Sequence, residues 1–197
     1  MLAKLNTMVF PAFKYTSPEA YLEMEWRAFE KHEYIGGEIV AMAGATERHN
    51  MIVLNIAGEI RNLLKGNNCK AYPSDFRVST PLFDTFMYPD VTIVCGETDL
   101  KENCFDTLAN PSVIIEVISP STEERDRVLK FFFYRQIPSF REYILVETDC
   151  CKVTAFRKLQ DGTWESTVIE GIDNNLYIES IKMQLPMKEI YALTVFG

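Results

Sequence analysis

One acidic residue stands inside an otherwise apolar run, and it constrains the fold more than any other feature of the chain. The run is VIIEVI, residues 113–118, and the acid is Glu116. A run this apolar is typical of a strand that is buried on both faces of a sheet. An ionised carboxylate in such a strand costs several kcal/mol or more unless it is paired, protonated or bound to a cation. The sequence therefore predicts that something lies opposite Glu116.

The length and patterning of the chain indicate one domain over residues 1–197. The 197 residues are 47% hydrophobic and 24% charged, which is typical of a chain that buries a substantial core. No internal repeat or long linker divides the chain. No apolar stretch approaches the roughly 20 residues of a membrane span, and the first residues lack the apolar core of a secretory signal. We therefore expect a cytoplasmic protein that has no membrane partner.

The charge and the cysteine content limit the classes of function. A net charge of −8 disfavours attraction of the whole surface to DNA, RNA or acidic membranes, so a polyanionic partner would need a local site. The chain has five cysteines, an odd number, and none of them shows CxxC spacing. This pattern favours reduced thiols over a disulfide framework or a zinc site.

The central part of the chain is predicted to run helix, three strands, helix, strand. Thr46 is expected to cap the first of these helices, which would cover a sheet and end near Gly66. The three strands are predicted at about 69–78, 89–95 and 112–118, and the last strand is REYILVE, residues 141–147. Ser121 and Glu124 form a capping box for the second helix, over about 122–135, whose apolar residues are expected to pack inward: Val128, Leu129, Phe132 and Phe133.

Smaller elements are predicted on both sides of this core. A helix beginning at Pro18 and a hairpin that turns at Gly36–Gly37 precede it. A hairpin that turns at Asp161–Gly162 and a short closing helix after Pro186 follow it. The fold class is therefore α/β, with an N-terminal helix plus hairpin and a C-terminal β-hairpin.

Two acids on neighbouring predicted strands form the candidate site. The alternation of side chains places Asp90 with Thr92 and Val94 on one strand face, and Glu116 with Ile114 and Ile118 on another. Two carboxylates a few ångströms apart need compensation, and a hard cation such as Mg²⁺ or Mn²⁺ supplies it. Lys130, on the following helix, could bring a second positive charge. This set suits hydrolysis of a phosphodiester, although the spacing alone is a weak signal.

An ordered series of motifs accompanies these residues. They are GGEIV at 36–40, a histidine that opens the first core helix, PD at 89–90, EVISPST at 116–122, D-R-x-x-K at 126–130 and EY at 142–143. Together they resemble the Uma-two family of restriction-endonuclease-like proteins, within the PD-(D/E)XK nuclease superfamily. The resemblance covers about residues 15 to 147.

The resemblance implies a restriction-endonuclease-like core, a divalent metal and DNA as the substrate. It implies that Asp90 and Glu116 bind the metal together with Val117, and it adds Glu38 and His49 to the catalytic candidates. The usual lysine two residues after the second acid is replaced here by Ile118. The resemblance therefore transfers the role of that lysine to Lys130.

Structural interpretations of the same residues stay open. Asp90 could cap a turn, and Lys130 could pair with Asp126 on a solvated helix face. Glu38 could be a surface strand residue, and the ring of His49 could bond only to groups near it in the helix. Glu116 has the weakest structural explanation.

The functional alternative to a nuclease is a non-catalytic module that keeps the fold and binds nucleic acid or protein. Residues 123–141 carry five basic side chains against three acidic ones, which gives a nucleic acid one locally positive segment. A homodimer is expected because two strands have to be cut with one site per chain.

Overall fold

The computed structural model describes residues 15–42, 44–82, 84–119 and 122–196. Its helices are α1 (Pro18–Glu25), α2 (Glu47–Leu63), a π-helix (Arg125–Lys130) that continues into α3 (Phe131–Tyr134), a 3₁₀-helix (Glu179–Ile181) and α4 (Met187–Ile190). Its strands are β1 (His32–Ile35), β2 (Glu38–Ala41), β3 (Cys69–Pro73), β4 (Arg77–Ser79), β5 (Phe86–Met87), β6 (Val91–Cys95), β7 (Thr107–Leu108), β8 (Val113–Ile118), β9 (Glu142–Glu147), β10 (Lys152–Lys158), β11 (Trp164–Glu170), β12 (Asn175–Ile178) and β13 (Met183–Pro186). Within these ranges, no helix is both long and apolar enough to cross a membrane.

A six-stranded mixed sheet forms the centre of the molecule. Its strand order is β11-β10-β9-β8-β6-β3, and β8 and β9 run parallel while the other neighbours run antiparallel. The elements that build it follow the predicted order of helix, three strands, helix, strand, namely α2, β3, β6, β8, the π-helix with α3, and β9. The α/β fold class is therefore confirmed, and the β10–β11 hairpin extends the same sheet as a C-terminal addition.

Helix α2 covers one face of this sheet. The side chain of Thr46 accepts a hydrogen bond from the backbone N–H of His49 at 3.2 Å, which begins the helix where the sequence predicts it. Ile52, Ile56 and Ile60 then point from α2 into a core shared with β6, β8 and β9. Helix α4, which was predicted after Pro186, completes this layer. The β12–β13 hairpin, which was not predicted, packs in the same layer.

A second, five-stranded sheet lies over the other face. Its order is β2-β1-β5-β4-β7, so the N-terminal hairpin forms one edge of this sheet. Val78, Met87 and Leu108 of this sheet pack with Val94, Ile114 and Ile118 of the central sheet. Phe133 and Tyr134 of α3 fill the same core, and α1 packs Tyr21 against Tyr34 and Phe86 on the far side. The space between the two sheets therefore meets the face of β8 that carries Glu116.

The strand predicted at about 69–78 is wrong in its length. It divides into β3, which pairs with β6, and β4, which belongs to the smaller sheet. Pro73 is the last residue of β3 and has no backbone N–H to continue a ladder. Arg77 then pairs with Thr107 in a parallel register, and its buried guanidinium bonds to Asp106. This partner lies far along the chain, so local patterning does not reveal the break.

The predicted phase of the helix after β8 is also wrong for three of its four apolar residues. Phe133 is buried, but Val128, Leu129 and Phe132 are exposed, whereas Asp126 and Lys130 are buried. The wider turn of the π-helix carries the charged residues to the inner side, where they form ion pairs. Ser121, the predicted capping residue, lies outside the described residues.

The expectation that all five cysteines are reduced thiols is wrong for one pair. Cys69 of β3 and Cys95 of β6 stand directly opposite each other in the ladder and form a disulfide. Cys104, Cys150 and Cys151 are free. The pairing follows from the register of two strands that are separated in sequence by 26 residues, which the cysteine spacing could not indicate.

Candidate active site

Asp90 and Glu116 meet at the point where the ladder between β6 and β8 ends. The last outer pair of this ladder is Val91 with Ile115, so the next residues outward, Asp90 and Glu116, are neighbours on the face that looks toward the smaller sheet. The backbone N–H of Asp90 lies 3.4 Å from Oε2 of Glu116. Both acids therefore lie on the same face of the central sheet.

The carboxylate of Asp90 accepts two hydrogen bonds. Its Oδ2 accepts the backbone N–H of Val117 at 2.7 Å, and its Oδ1 lies 3.2 Å from Nε2 of His49. Burial lowers the pKa of His49, but the hydrogen bond and the charge of Asp90 outweigh it, so the pKa is raised above its ordinary value of 6.5. His49 therefore acts as the donor to Asp90 and holds this carboxylate against the end of β8.

Glu116 is buried, and its two oxygens face different groups. Oε1 accepts hydrogen bonds from the Lys130 amine at 3.0 Å and from the Tyr134 hydroxyl at 3.2 Å, and Oε2 is the oxygen nearer to Asp90. Burial raises the pKa of this carboxyl well above its usual value of 4.5; Lys130 opposes the rise, and the surrounding acids add to it. The folded protein therefore holds a proton at Glu116 more readily than the unfolded chain does.

The amine of Lys130 lies among three carboxylates. It is 3.0 Å from Glu116, 3.1 Å from Asp126 and 3.3 Å from Glu33. Burial lowers the pKa of this amine, but the three acids outweigh it and raise the pKa well above 10.5. The three acids therefore favour the protonated, positively charged form of Lys130.

Glu33 brings the smaller sheet into the site, and the sequence analysis missed it. Its Oε1 accepts the backbone N–H of Tyr88 at 3.1 Å as well as contacting Lys130, and its Oε2 pairs with Arg125. Glu33 is 1% exposed. The available signal was Ile35, two residues further on β1, which packs against the core between the sheets and so marks the same strand face as inward.

Glu38 is not brought together with the other candidates. It begins β2 beside the hairpin turn, opposite Ile35, and its side chain is exposed. Its carboxylate makes no hydrogen bond or ion pair with another described residue. Asp126 and Tyr134, by contrast, were not candidates, and both bond to members of the site.

The oxygen donors at Asp90 and Glu116 suit a hard divalent cation. Within the described ranges, no group of three or more His, Cys, Asp or Glu side chains forms a metal site on its own. Mg²⁺, however, is usually bound through one or two carboxylates, with water and substrate phosphates completing its shell. Because Lys130 and Tyr134 occupy Oε1 of Glu116, Oε2 and the Asp90 carboxylate are the side-chain oxygens that fit such an ion, beside the main chain of Val117.

Comparisons with known proteins show which family the chain resembles in sequence. The family model described as "Putative restriction endonuclease", Uma2, matches residues 18–188. The uncharacterized protein slr1290 of Synechocystis is 34% identical over the full length of both chains. A second Synechocystis protein, sll1609, is 32% identical over 89% of this chain and 99% of its own.

A solved structure shares the fold. A crystal structure from Anabaena variabilis, described as that of a "putative nuclease", superposes with a TM-score of 0.72 over 90% of this chain and 98% of its own, at 19% identity. The family match covers both acids, Lys130 and the smaller sheet. The chain therefore belongs to the Uma2 family of restriction-endonuclease-like proteins.

Proposed function

We propose that this protein is a divalent-metal-dependent endonuclease that hydrolyses phosphodiester bonds in DNA. One observation carries the proposal: a buried lysine bonds to a buried acid whose other oxygen faces a second acid. The family and the structural neighbour are both described as nucleases, which supports a nucleic acid as the substrate. In this proposal Mg²⁺ or Mn²⁺ binds at Asp90, Glu116 and the main chain of Val117.

The residues of the chain have distinct parts in this reaction. A cation at the two acids would supply positive charge to the phosphate oxygens. Lys130 fixes the orientation of Glu116 and adds a second positive charge near the developing charge of the phosphate. His49 fixes Asp90 in the same way, and Tyr134 holds Oε1 of Glu116. These groups are already held in place before substrate arrives, which lowers the reorganisation that the reaction requires.

Metal binding is the first test of this proposal. Calorimetric titration of the wild type with Mn²⁺ should show binding, and Glu116→Ala should weaken it by at least about tenfold because an oxygen ligand is lost. Glu38→Gln is the matched control, since Glu38 is an exposed acid outside the site and its removal should leave the affinity unchanged. Equal affinity for Glu116→Ala and the wild type would move the metal away from Glu116.

The role of Glu33 gives a second test. Glu33→Gln keeps an acceptor for the N–H of Tyr88 but removes one of the three negative charges around Lys130. We expect DNA cleavage to fall about 10- to 100-fold, as for other residues that orient a catalytic group, with KM little changed. Steady-state cleavage assays would measure this, with Glu38→Gln again unchanged. A Glu33→Gln protein with wild-type turnover would restrict Glu33 to a structural role.

The binding-module alternative predicts a different pattern. In that case the charged cluster only joins the two sheets, and the purified wild type would cut neither duplex, single-stranded nor branched DNA with either metal. Binding to these DNAs would still be measurable, and it would not depend on Glu116.

A further inference from the structure

The helix that carries Lys130 turns an apolar stripe away from the protein. Val128 is 65% exposed, Leu129 40% and Phe132 39%, while Asp126 and Lys130 on the same helix are buried. These three side chains occupy the outward side of two consecutive turns. An amphipathic helix normally buries its apolar side chains, whereas this one buries Phe133 and Tyr134 and leaves a second apolar stripe exposed.

The two ends of this stripe carry opposite charges. Glu124 is exposed at the beginning of the helical segment and Arg135 is exposed just after α3. Neither makes an ion pair with any residue of the described part of the chain. The guanidinium of Arg135 lies over the ring of Phe132, 5.2 Å from its centroid, so the basic end is in contact with the apolar stripe.

We propose that this stripe is the interface of a homodimer whose second occupant is another copy of this chain. A two-fold axis through the middle of the stripe would pair two antiparallel helices through Val128, Leu129 and Phe132. The same rotation would bring Glu124 of one protomer to Arg135 of the other, twice by symmetry. A two-fold interface has to be complementary to itself, and the order acid, apolar stripe, base along one helix meets this requirement.

The chemistry of the surroundings favours a second copy over a nucleic acid. Glu123 and Glu124 are exposed at one end of the stripe, where they would repel a phosphate backbone. Arg125 and Arg127 of the same helix already pair with acids of this chain, so little of the positive charge of the segment is left for a polyanion. Stable interfaces bury about 1,200–2,000 Å² in total, and three side chains supply only the centre of such an area. We therefore expect a weak, concentration-dependent dimer, and this inference does not depend on the proposed nuclease activity.

Sedimentation velocity over a concentration series tests the interface directly. The wild type should shift from monomer to dimer as its concentration rises, and Phe132→Glu should weaken the dimer by at least about tenfold because it places a charge at the centre of the interface. Leu54→Glu is the matched control. Leu54 is 66% exposed on α2, which covers the opposite face of the central sheet, so this variant should dimerise like the wild type.

A charge exchange tests the orientation of the two helices. Glu124→Arg and Arg135→Glu should each weaken the dimer several-fold, because like charges then face each other across the axis. The double variant restores opposite charges and should return to near wild-type association. Circular dichroism would check that each variant is folded.

Three results would overturn the proposal. They are a wild type that stays monomeric at the highest concentration reached, a Phe132→Glu protein that dimerises normally, and a double charge exchange that associates no better than the single variants. A monomeric wild type whose DNA binding is lost in Phe132→Glu would assign the stripe to nucleic acid instead.

Discussion

Glu116→Gln should abolish metal-dependent cleavage of DNA, with a loss of at least about a thousandfold in turnover. The amide is nearly isosteric and its oxygen can still accept from Lys130 and Tyr134, so the local hydrogen bonds are kept. What the variant loses is the negative charge that faces Asp90 and the proposed cation. Cleavage of duplex, single-stranded and branched DNA with Mg²⁺ and Mn²⁺ would measure the effect.

The stability of the same variant separates this loss from unfolding. Burial raises the pKa of Glu116 above 4.5, so the folded state holds the proton more tightly, and the contribution of Glu116 to the free energy of unfolding of the metal-free wild type falls as the pH rises above that value. The amide side chain of the variant cannot ionise, so metal-free Glu116→Gln should gain stability relative to the wild type as the pH rises from about 4.5. Urea unfolding at several pH values would show this. A variant that is folded and still cuts DNA would remove Glu116 from the reaction.

Lys130→Met should affect both stability and turnover. Removing the amine leaves Glu116, Asp126 and Glu33 buried without their shared cation, and breaking a buried ion pair in this way typically costs about 3–5 kcal/mol. Urea unfolding at neutral pH should show a loss of that order. Lys152→Met is the control, because Lys152 is 3.9 Å from an exposed Glu170 and such surface pairs contribute at most about 1 kcal/mol.

Turnover in Lys130→Met has to be measured where the variant is still folded. We expect cleavage to fall by about 100-fold or more and the affinity for Mn²⁺ to change less, because Lys130 acts on the developing charge and does not itself hold the ion. Folded Lys130→Met protein that cuts DNA at the wild-type rate would make Lys130 a structural residue, as its pairing with Asp126 alone would suggest.

The parts of the site that follow from local patterning were predictable from the sequence. Alternation along the strands groups Asp90 with Thr92 and Val94, and Glu116 with Ile114 and Ile118, and the register of β6 and β8 then brings the two acids together. The cap at Thr46 fixes where α2 presents His49. A carboxylate in a fully buried strand also indicates that a partner lies opposite it, because an unpaired buried charge is costly. These inferences need only the period of a strand or the chemistry of a helix end.

The parts that depend on distant contacts were not predictable. Glu33 reaches Lys130 only because the N-terminal hairpin joins a second sheet through β5 and β4, and no local signal specifies that pairing. The helix phase failed for a related reason. Apolar side chains at 128, 129 and 132 would ordinarily turn inward, but the ion pairs of Lys130 with three acids take the inner position.

The link between Glu33 and Lys130 has a consequence for any attempt to reduce this protein to a minimal fragment. A fragment that begins at residue 44 would contain Asp90, Glu116 and Lys130, and by its motifs it would look complete. It would nevertheless lack the carboxylate that bonds to the N–H of Tyr88, pairs with Arg125 and contacts Lys130. In the proposed nuclease the smallest fragment therefore has to include β1, because a fragment without the N-terminal hairpin loses the contacts of Glu33.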